Sequence, residues 1–253
     1  MSSYLITGAS RGLGLSLTKL LAERPVEKVR FIAATARTKT PGLAELTEKY
    51  PGRVAFIPLE VTKEESIKAA VTEVEKALGP NQGLDVLVNN AGIASLTPGG
   101  VSEMQDLMST LDVNVNGPQR VTTAFLPLLR KGSRKLVVNV SSTVGSLTLA
   151  KYIAMLPTPA YKISKTALNM LTLQWAFQYE KEGFTFMAIS PGYLKTDLGG
   201  KDAHLPVEVG SKAVLDILDM ATKEQNGKFL DIHLPDFPSE GGVKLYQGGE
   251  IPW

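Results

Sequence analysis

Short runs of β-branched and aliphatic residues alternate with longer amphipathic runs along almost the whole sequence, and this alternation constrains the fold more than any other feature. Tyr4-Leu5-Ile6-Thr7 reads as a strand, and in the stretch after it Leu13, Leu17, Leu20 and Leu21 share a helical face. Strand readings recur at residues 30–35, 54–59, 84–89, 135–140, 184–189 and 228–232, with helical periodicity between them. Strands separated by helices predict a parallel sheet. Val86-Leu87-Val88 and Leu136-Val137-Val138 are apolar at successive positions, as expected where helices cover both faces. The expectation is one α/β domain over residues 1–253, a doubly wound parallel sheet of about seven strands in a three-layer αβα sandwich. Thr62 with Glu65 and Ser102 with Gln105 fit capping boxes, Pro206 suits a first helical turn, and the helix from Thr62 should end near Leu78. Residues 235–253, rich in Gly and Pro, should wrap the surface.

Composition narrows the function. Lysine and arginine total 27 against 25 acidic residues, so a net charge of +2 offers no broad attraction for nucleic acid or anionic lipid. The absence of cysteine excludes disulfides, a thiolate nucleophile and cysteine-ligated zinc, and His204 and His233 lack spaced partners for a metal. Met1-Ser2-Ser3 runs straight into the first apolar stretch, without the basic start and long apolar run of a secretory leader. No uncharged run reaches the length of a membrane span. A cytoplasmic protein acting on small molecules is expected.

The first strand opens into Thr7-Gly8-Ala9-Ser10-Arg11-Gly12-Leu13-Gly14. Backbone N–H groups at a helix N-terminus converge on an anion, and glycine lets a pyrophosphate approach without a Cβ in the way. The spacing G-x-x-x-G-x-G differs from the common G-x-G-x-x-G, and such a turn also serves packing alone. The second strand ends in Thr35-Ala36-Arg37-Thr38-Lys39. A carboxylate there would hold a ribose 2′-hydroxyl; Arg37, with Arg11 as a second cation, suits a 2′-phosphate, which favours NADP(H) over NAD.

Farther on, Ser141-Ser142 closes the fifth strand, and Tyr161 and Lys165 lie four apart at the start of a long helical stretch. That spacing puts phenol and ammonium on one face, where the cation should lower the tyrosine pKa toward useful proton transfer. Such a pair is also common on helix surfaces, so the ordered set matters more than any one member.

In that order the motifs resemble the short-chain dehydrogenase/reductases over about the whole chain: the turn from Thr7 to Gly14, Asn89-Asn90-Ala91-Gly92, Asn114, Ser142, Tyr161 with Lys165, and Pro191-Gly192 with Thr196. The resemblance implies a Rossmann-type fold and an NADP(H)-dependent oxidoreductase acting on a carbonyl or alcohol. It implies that Ser142 hydrogen-bonds the substrate oxygen, Tyr161 transfers the proton, Lys165 holds the nicotinamide ribose and Asn114 anchors a water relay. It places Gly8, Ser10, Arg11, Gly12, Leu13, Gly14 and Arg37 at the phosphates, Glu60 and Val61 at adenine, and Asn90, Ala91 and Gly92 near the ribose. Pro191, Gly192, Leu194 and Thr196 would orient the carboxamide. By the same analogy, helices over 102–129 and 161–179 would form a homodimer.

Within the family the chain is most similar to fungal polyketide ketoreductases of the norsolorinic acid kind and to sniffer-type carbonyl reductases, through Ala221-Thr222-Lys223-Glu224, Gly227-Lys228-Phe229 and Ile251-Pro252-Trp253. This implies a bulky aromatic or polyketide-derived ketone, touched by some of Leu147, Tyr152, Met155, Tyr193 and Trp253. Trp253 suits a tail anchor equally well. The insertion over residues 151–157 either lines the substrate mouth or forms a surface bulge, and the short stretch between Pro191 and Pro206 predicts an open site. The family also contains cyclases, dehydratases and nucleotide sensors; retention of Ser142, Tyr161, Lys165 and Asn114 argues for a reductase.

Overall fold

The computed structural model describes residues 1–238 and 245–253. Along the chain lie β1 (Ser2–Thr7), α1 (Gly12–Ala22), β2 (Val29–Ala36), α2 (Pro41–Lys49), β3 (Val54–Pro58), α3 (Glu64–Leu78), β4 (Val86–Asn89), α4 (Leu107–Leu111) and α5 (Gly117–Lys131). Then follow β5 (Leu136–Val140), α6 (Pro159–Tyr179), β6 (Thr185–Ser190), α7 (Val207–Met220), β7 (Phe229–His233) and β8 (Gln247–Glu250). One sheet contains all of these strands in the order β3-β2-β1-β4-β5-β6-β7-β8. Its pairs are parallel from β3 through β7, and only β8 runs antiparallel, with Leu230 opposite Glu250 and His233 opposite Gln247.

The strand cores are apolar at successive positions because consecutive side chains enter different cores. Ile6, Ile32, Val88 and Val138 pack with Leu17 and Leu21 of α1 and Val214 and Leu218 of α7. Leu5, Leu87 and Val137 pack on the other face with Ile67 of α3, Phe125 and Leu129 of α5, and Trp175 of α6. At roughly 1.5–3 kcal/mol for each large aliphatic side chain withdrawn from water, both faces contribute to holding the sheet. The chain order reverses between β1 and β4, and in such sheets ligands bind beyond the strand C-termini at that switch.

Several local expectations are corrected. The sheet has an eighth strand, formed by part of the predicted surface tail; Gly248 (φ +73°) and Gly249 (φ +83°) give its Gln-Gly-Gly-Glu sequence no strand-like pattern to read. The tail's residues 239–244 lie outside the described residues. Neither capping box forms. Lys63 precedes α3 without a side-chain cap, and Thr62 Oγ1 instead donates to Glu60 Oε1 at 3.4 Å. Ser102 sits in a separate 3-10 turn, Val101–Glu103. The helix expected over 102–129 is therefore broken: α4 begins at Leu107 and joins α5 through a π-helical turn, Asp112–Asn116. Pro206 stands just before α7, whose first helical residue is Val207. The end of α3 at Leu78, before Gly79 at φ +89°, is as expected.

Candidate active site

Beyond β1 the chain turns through Gly8 (φ +68°) and Gly12 (φ +53°) into α1. A Cβ on Gly8 would lie 2.9 Å from the Ala91 Cα, and one on Gly14 would run into the Gly8 carbonyl and lie 2.6 Å from Asn90 Nδ2. The turn is therefore packed directly on the segment after β4. Asn90 Nδ2 donates to the carbonyls of Thr7 (2.8 Å) and Gly8 (3.2 Å), while Thr7 Oγ1 accepts from the N–H groups of Asn90 and Ala91 at 2.9 and 3.0 Å. The Asn90 Nδ2 thus braces the turn.

Leu13 is buried in the core under the turn, and the Ser10 carbonyl accepts from Thr40 Oγ1 at 2.8 Å. Gly12 faces Thr196, whose Cγ2 would stand 3.2 Å from an added Cβ. Arg11 pairs with Asp197 at 2.7 Å, both side chains exposed, so the turn and the loop after β6 are bridged by an ion pair. Arg37 is exposed just after β2. Glu60 is paired with Lys63 at 2.9 Å, and this hydrogen-bonded cation, with weaker help from Thr62 and the Arg37 charge, holds its carboxyl below the usual range. Val61 packs against Gly117.

Beyond β4 and β5 the expected tetrad comes together. Lys165, almost wholly buried, donates from Nζ to the Val140 carbonyl at 2.8 Å and lies 5.4 Å from the Tyr161 ring centroid. Asn114 projects from the π-helical turn, a distortion that often marks functional positions. Its Oδ1 accepts from Ile93 N–H (2.9 Å), and its Nδ2 donates to the Ile93 carbonyl (2.9 Å) and Ser164 Oγ (2.9 Å). Ser164 in turn donates to the Tyr161 carbonyl at 2.7 Å, so Asn114 is connected to the helical turn carrying Tyr161. A Cβ on Gly92 would stand 3.3 Å from Asn114 Oδ1 and 3.8 Å from Lys165 Nζ. Ser142 caps the short turn Thr143–Gly145 by accepting from Val144 N–H at 3.4 Å.

The electrostatics differ from the expectation for Tyr161. Burial pushes its phenol up to about 12, with a hydrogen bond to Ser142 pulling in the opposite direction. Burial pushes the Lys165 ammonium down to about 8. Lys165 does not depress the phenol because its ammonium is turned to the Val140 carbonyl and is itself desolvated. At neutral pH this arrangement keeps Tyr161 protonated, the form required of a proton donor.

A family model described as short chain dehydrogenase matches residues 3–204. The chain belongs to the short-chain dehydrogenase family. It is 28% identical to the norsolorinic acid ketoreductase of Aspergillus parasiticus over 99% of this chain and 90% of that one. It superimposes on the NADPH-bound carbonyl reductase from chicken fatty liver with a TM-score of 0.85 at 31% identity, covering 100% of this chain and 99% of that one. The carbonyl reductase Sniffer of D. melanogaster gives 0.86 at 28% identity, with both chains covered in full.

Four of the residues expected at a substrate carry apolar surface into water. Leu147 is 70% exposed, Tyr152 80%, Met155 86% and Tyr193 41%. The insertion over 151–157 is anchored, because Lys162 Nζ donates to the Ile153 carbonyl at 2.7 Å and the Pro157 carbonyl accepts from Thr97 N–H at 2.7 Å. Between Pro191 and Pro206 the chain folds back on itself, with Leu194 bridged to Leu205 and Leu194 buried against Gly210. Gly192 (φ +85°) makes this possible, since a side chain there would strike Leu205 and Ile232. Trp253, considered for substrate contact, is seated on the protein itself: its ring stacks on Phe229 at 5.4 Å and 25°.

Two residues of the candidate site carry no motif in the sequence. Ser164, three residues after Tyr161, carries the link to Asn114. Gly145, three after Ser142, lets the Ser142 turn meet α6: a Cβ there would lie 2.8 Å from the Lys165 Cβ. Their short spacing from the named tetrad residues was the available signal. Among the described residues no three His, Cys, Asp or Glu side chains gather as a metal site, and no helix is long and apolar enough to cross a membrane.

Proposed function

We propose that the protein reduces a ketone to a secondary alcohol with NADPH. The observation that carries this reading is the convergence of Tyr161, Lys165, Asn114 and Ser142 beyond β4 and β5, beside a glycine turn closed on Asn90 and Ala91. The residues fit the cofactor. Gly8 and Gly12 adopt positive φ and Gly14 has no room for a Cβ, leaving a turn whose N–H groups suit a pyrophosphate. Arg37 stands exposed at the strand end where a carboxylate would repel a 2′-phosphate, and the similar chicken carbonyl reductase binds NADPH.

When bound, NADPH supplies the hydride that reaches the carbonyl carbon. Tyr161 Oη gives its proton to the carbonyl oxygen as negative charge develops there, and Ser142 Oγ donates a hydrogen bond to the same oxygen. Lys165 Nζ, beside the Val140 carbonyl, binds the nicotinamide ribose. Asn114, through Ser164, positions the Tyr161 turn and the path by which a proton returns. Arg37 and Arg11 bind phosphate, Glu60 and Val61 border the adenine, and Pro191 to Thr196 orient the carboxamide.

The exposed apolar rim of Leu147, Tyr152, Met155 and Tyr193, and the likeness to norsolorinic acid ketoreductase, support a bulky aromatic or polyketide-derived ketone. Exposed Ile163, Met170 and Phe177, seven residues apart on α6, support a homodimer. The test follows absorbance at the nicotinamide band across a panel of ketones. The wild-type chain should consume NADPH with a bulky aromatic ketone, and Tyr161→Phe should lower kcat by about 10²–10⁴-fold with NADPH binding retained. Cofactor binding without oxidation by any ketone, or full activity in Tyr161→Phe, would overturn the reading.

A further inference from the structure

Residues 246–253 touch both walls of the proposed substrate mouth. On one side lies the loop after β6: Tyr193 N–H donates to Tyr246 Oη at 3.0 Å, and His204 Nε2 shares a hydrogen bond with the same hydroxyl at 2.7 Å. The Tyr246 ring is set edge-on against Phe237 at 4.9 Å. On the other side lies the segment just after the Ser142 turn. Ser146 Oγ donates to the Pro252 carbonyl at 2.5 Å, and Thr148 donates to the Trp253 carbonyl from N–H at 3.1 Å and Oγ1 at 2.8 Å. Ser146 Oγ also accepts from Leu149 N–H at 3.1 Å, closing the turn that presents Leu147.

Between the two grips runs β8, held to β7 from His233–Gln247 to Leu230–Glu250 and continued by Ile251 N–H donating to the Phe229 carbonyl at 2.7 Å. A strand in register has a fixed rise of about 3.4 Å per residue, so it cannot shorten or lengthen while paired. We infer that β8 and its flanks form a strap that sets the spacing of the two substrate walls, with Tyr246, Ser146 and Thr148 as positioning residues for substrate selectivity. This rests on the proposed reductase reading, because selectivity presupposes a substrate between the walls. The walls themselves are loops bearing exposed Leu147 and Tyr193, and the hydroxyls that tie them to the strap contribute nothing to the apolar cores. A change of wall spacing should therefore act on large substrates and leave small ones alone.

The experiment compares wild type with Tyr246→Phe, which keeps the ring on Phe237, and with the double variant Ser146→Ala/Thr148→Val. Kinetics with a bulky aromatic ketone and with a small aliphatic ketone are measured beside amide hydrogen exchange. In both variants KM for the bulky ketone should rise about tenfold, below the roughly 100-fold that a 1 Å misplacement of reacting groups costs, with kcat, small-ketone KM and NADPH affinity within about twofold of wild type. Exchange should quicken severalfold in residues 147–152 and 193–205 together in either variant, since releasing one grip loosens the strap that holds the other. An unchanged ratio of the two KM values, or exchange that quickens only beside the altered hydroxyls, would overturn the strap. If wild type reduces neither ketone, the reductase reading falls, and the exchange pattern alone still decides whether the walls are coupled.

Discussion

At the cofactor end of the cleft the chain closes on itself through backbone: Gly8 and Gly14 leave no room for a Cβ, and Asn90 spends its amide on two main-chain carbonyls. At the proposed substrate end the walls are loops whose apolar side chains stand in water, tied by hydrogen bonds of Ser146, Thr148 and the Tyr193 N–H to residues 246–253. The first region tolerates almost no change of volume at Gly8 or Gly14, where an added Cβ meets main chain. The second can exchange Leu147 or Met155 without disturbing packing. A fold that keeps one ligand constant and varies another is expected to divide its rigidity in this way.

The sharpest way to break that contrast is one substitution in each region. Gly14→Ala places a Cβ against the Gly8 carbonyl and Asn90 Nδ2, and overpacking of this kind costs about 1–3 kcal/mol, or roughly 2–4 °C of Tm per kcal/mol for a chain of this size. Because the displaced atoms form the phosphate turn, NADPH affinity should fall by more than about 100-fold, each tenfold step corresponding to about 1.4 kcal/mol. Leu147→Ala, at an exposed position, should stay within about 0.5 kcal/mol of wild-type stability. Calorimetry and cofactor titration read both, and a Gly14→Ala protein with normal NADPH affinity would mean that the turn serves packing only.

Arg37→Ala gives a smaller effect and asks which cofactor the rigid end was built for. Hydrogen bonds to a charged group contribute about 1.5–3 kcal/mol, so Kd for NADPH should rise roughly 10–100-fold. NADH, lacking the 2′-phosphate, should bind as before. Equal weakening of both would assign Arg37 to the surface rather than to the phosphate.

The same division explains what could be read in the chain. The cofactor end is local and chemically marked: glycines next to a strand end, Arg37 at another, Tyr161 and Lys165 one helical turn apart. The architecture was legible because buried parallel strands leave uninterrupted runs such as Val86-Leu87-Val88. The substrate end depends on contacts between residues about 50 to 105 positions apart in sequence, Tyr193 to Tyr246 and Thr148 to Trp253. No periodicity announces them. The Gln-Gly-Gly-Glu strand was hidden for a related reason, since its stability comes from β7 rather than from its own propensity. The capping boxes at Thr62 and Ser102 were the reverse case, in which the local pattern was present but the helix began later. Asn114 could be picked out by motif, but its π-helical turn and its link through Ser164 are tertiary facts.

Lys165 stands where the two regions meet, and its titration gives the smallest and most specific test. Burial brings its ammonium down to about 8 from 10.5, while the Tyr161 phenol, at about 12, remains protonated through that range. If the reaction needs the charged lysine, ketone reduction should be level below about pH 8 and fall by up to about tenfold per pH unit above it. Stability of the free protein should move the other way. Between pH 8 and 10.5 the unfolded chain binds the lysine proton and the folded chain does not, so the Lys165 contribution to stability rises with pH. Loss of rate while stability holds or improves would place the change in the site. A simultaneous fall of both would assign it to unfolding, and a flat rate to pH 10 would remove the charged lysine from the chemistry. Lys165→Arg, which stays charged throughout, should lose the alkaline fall in whatever activity it retains.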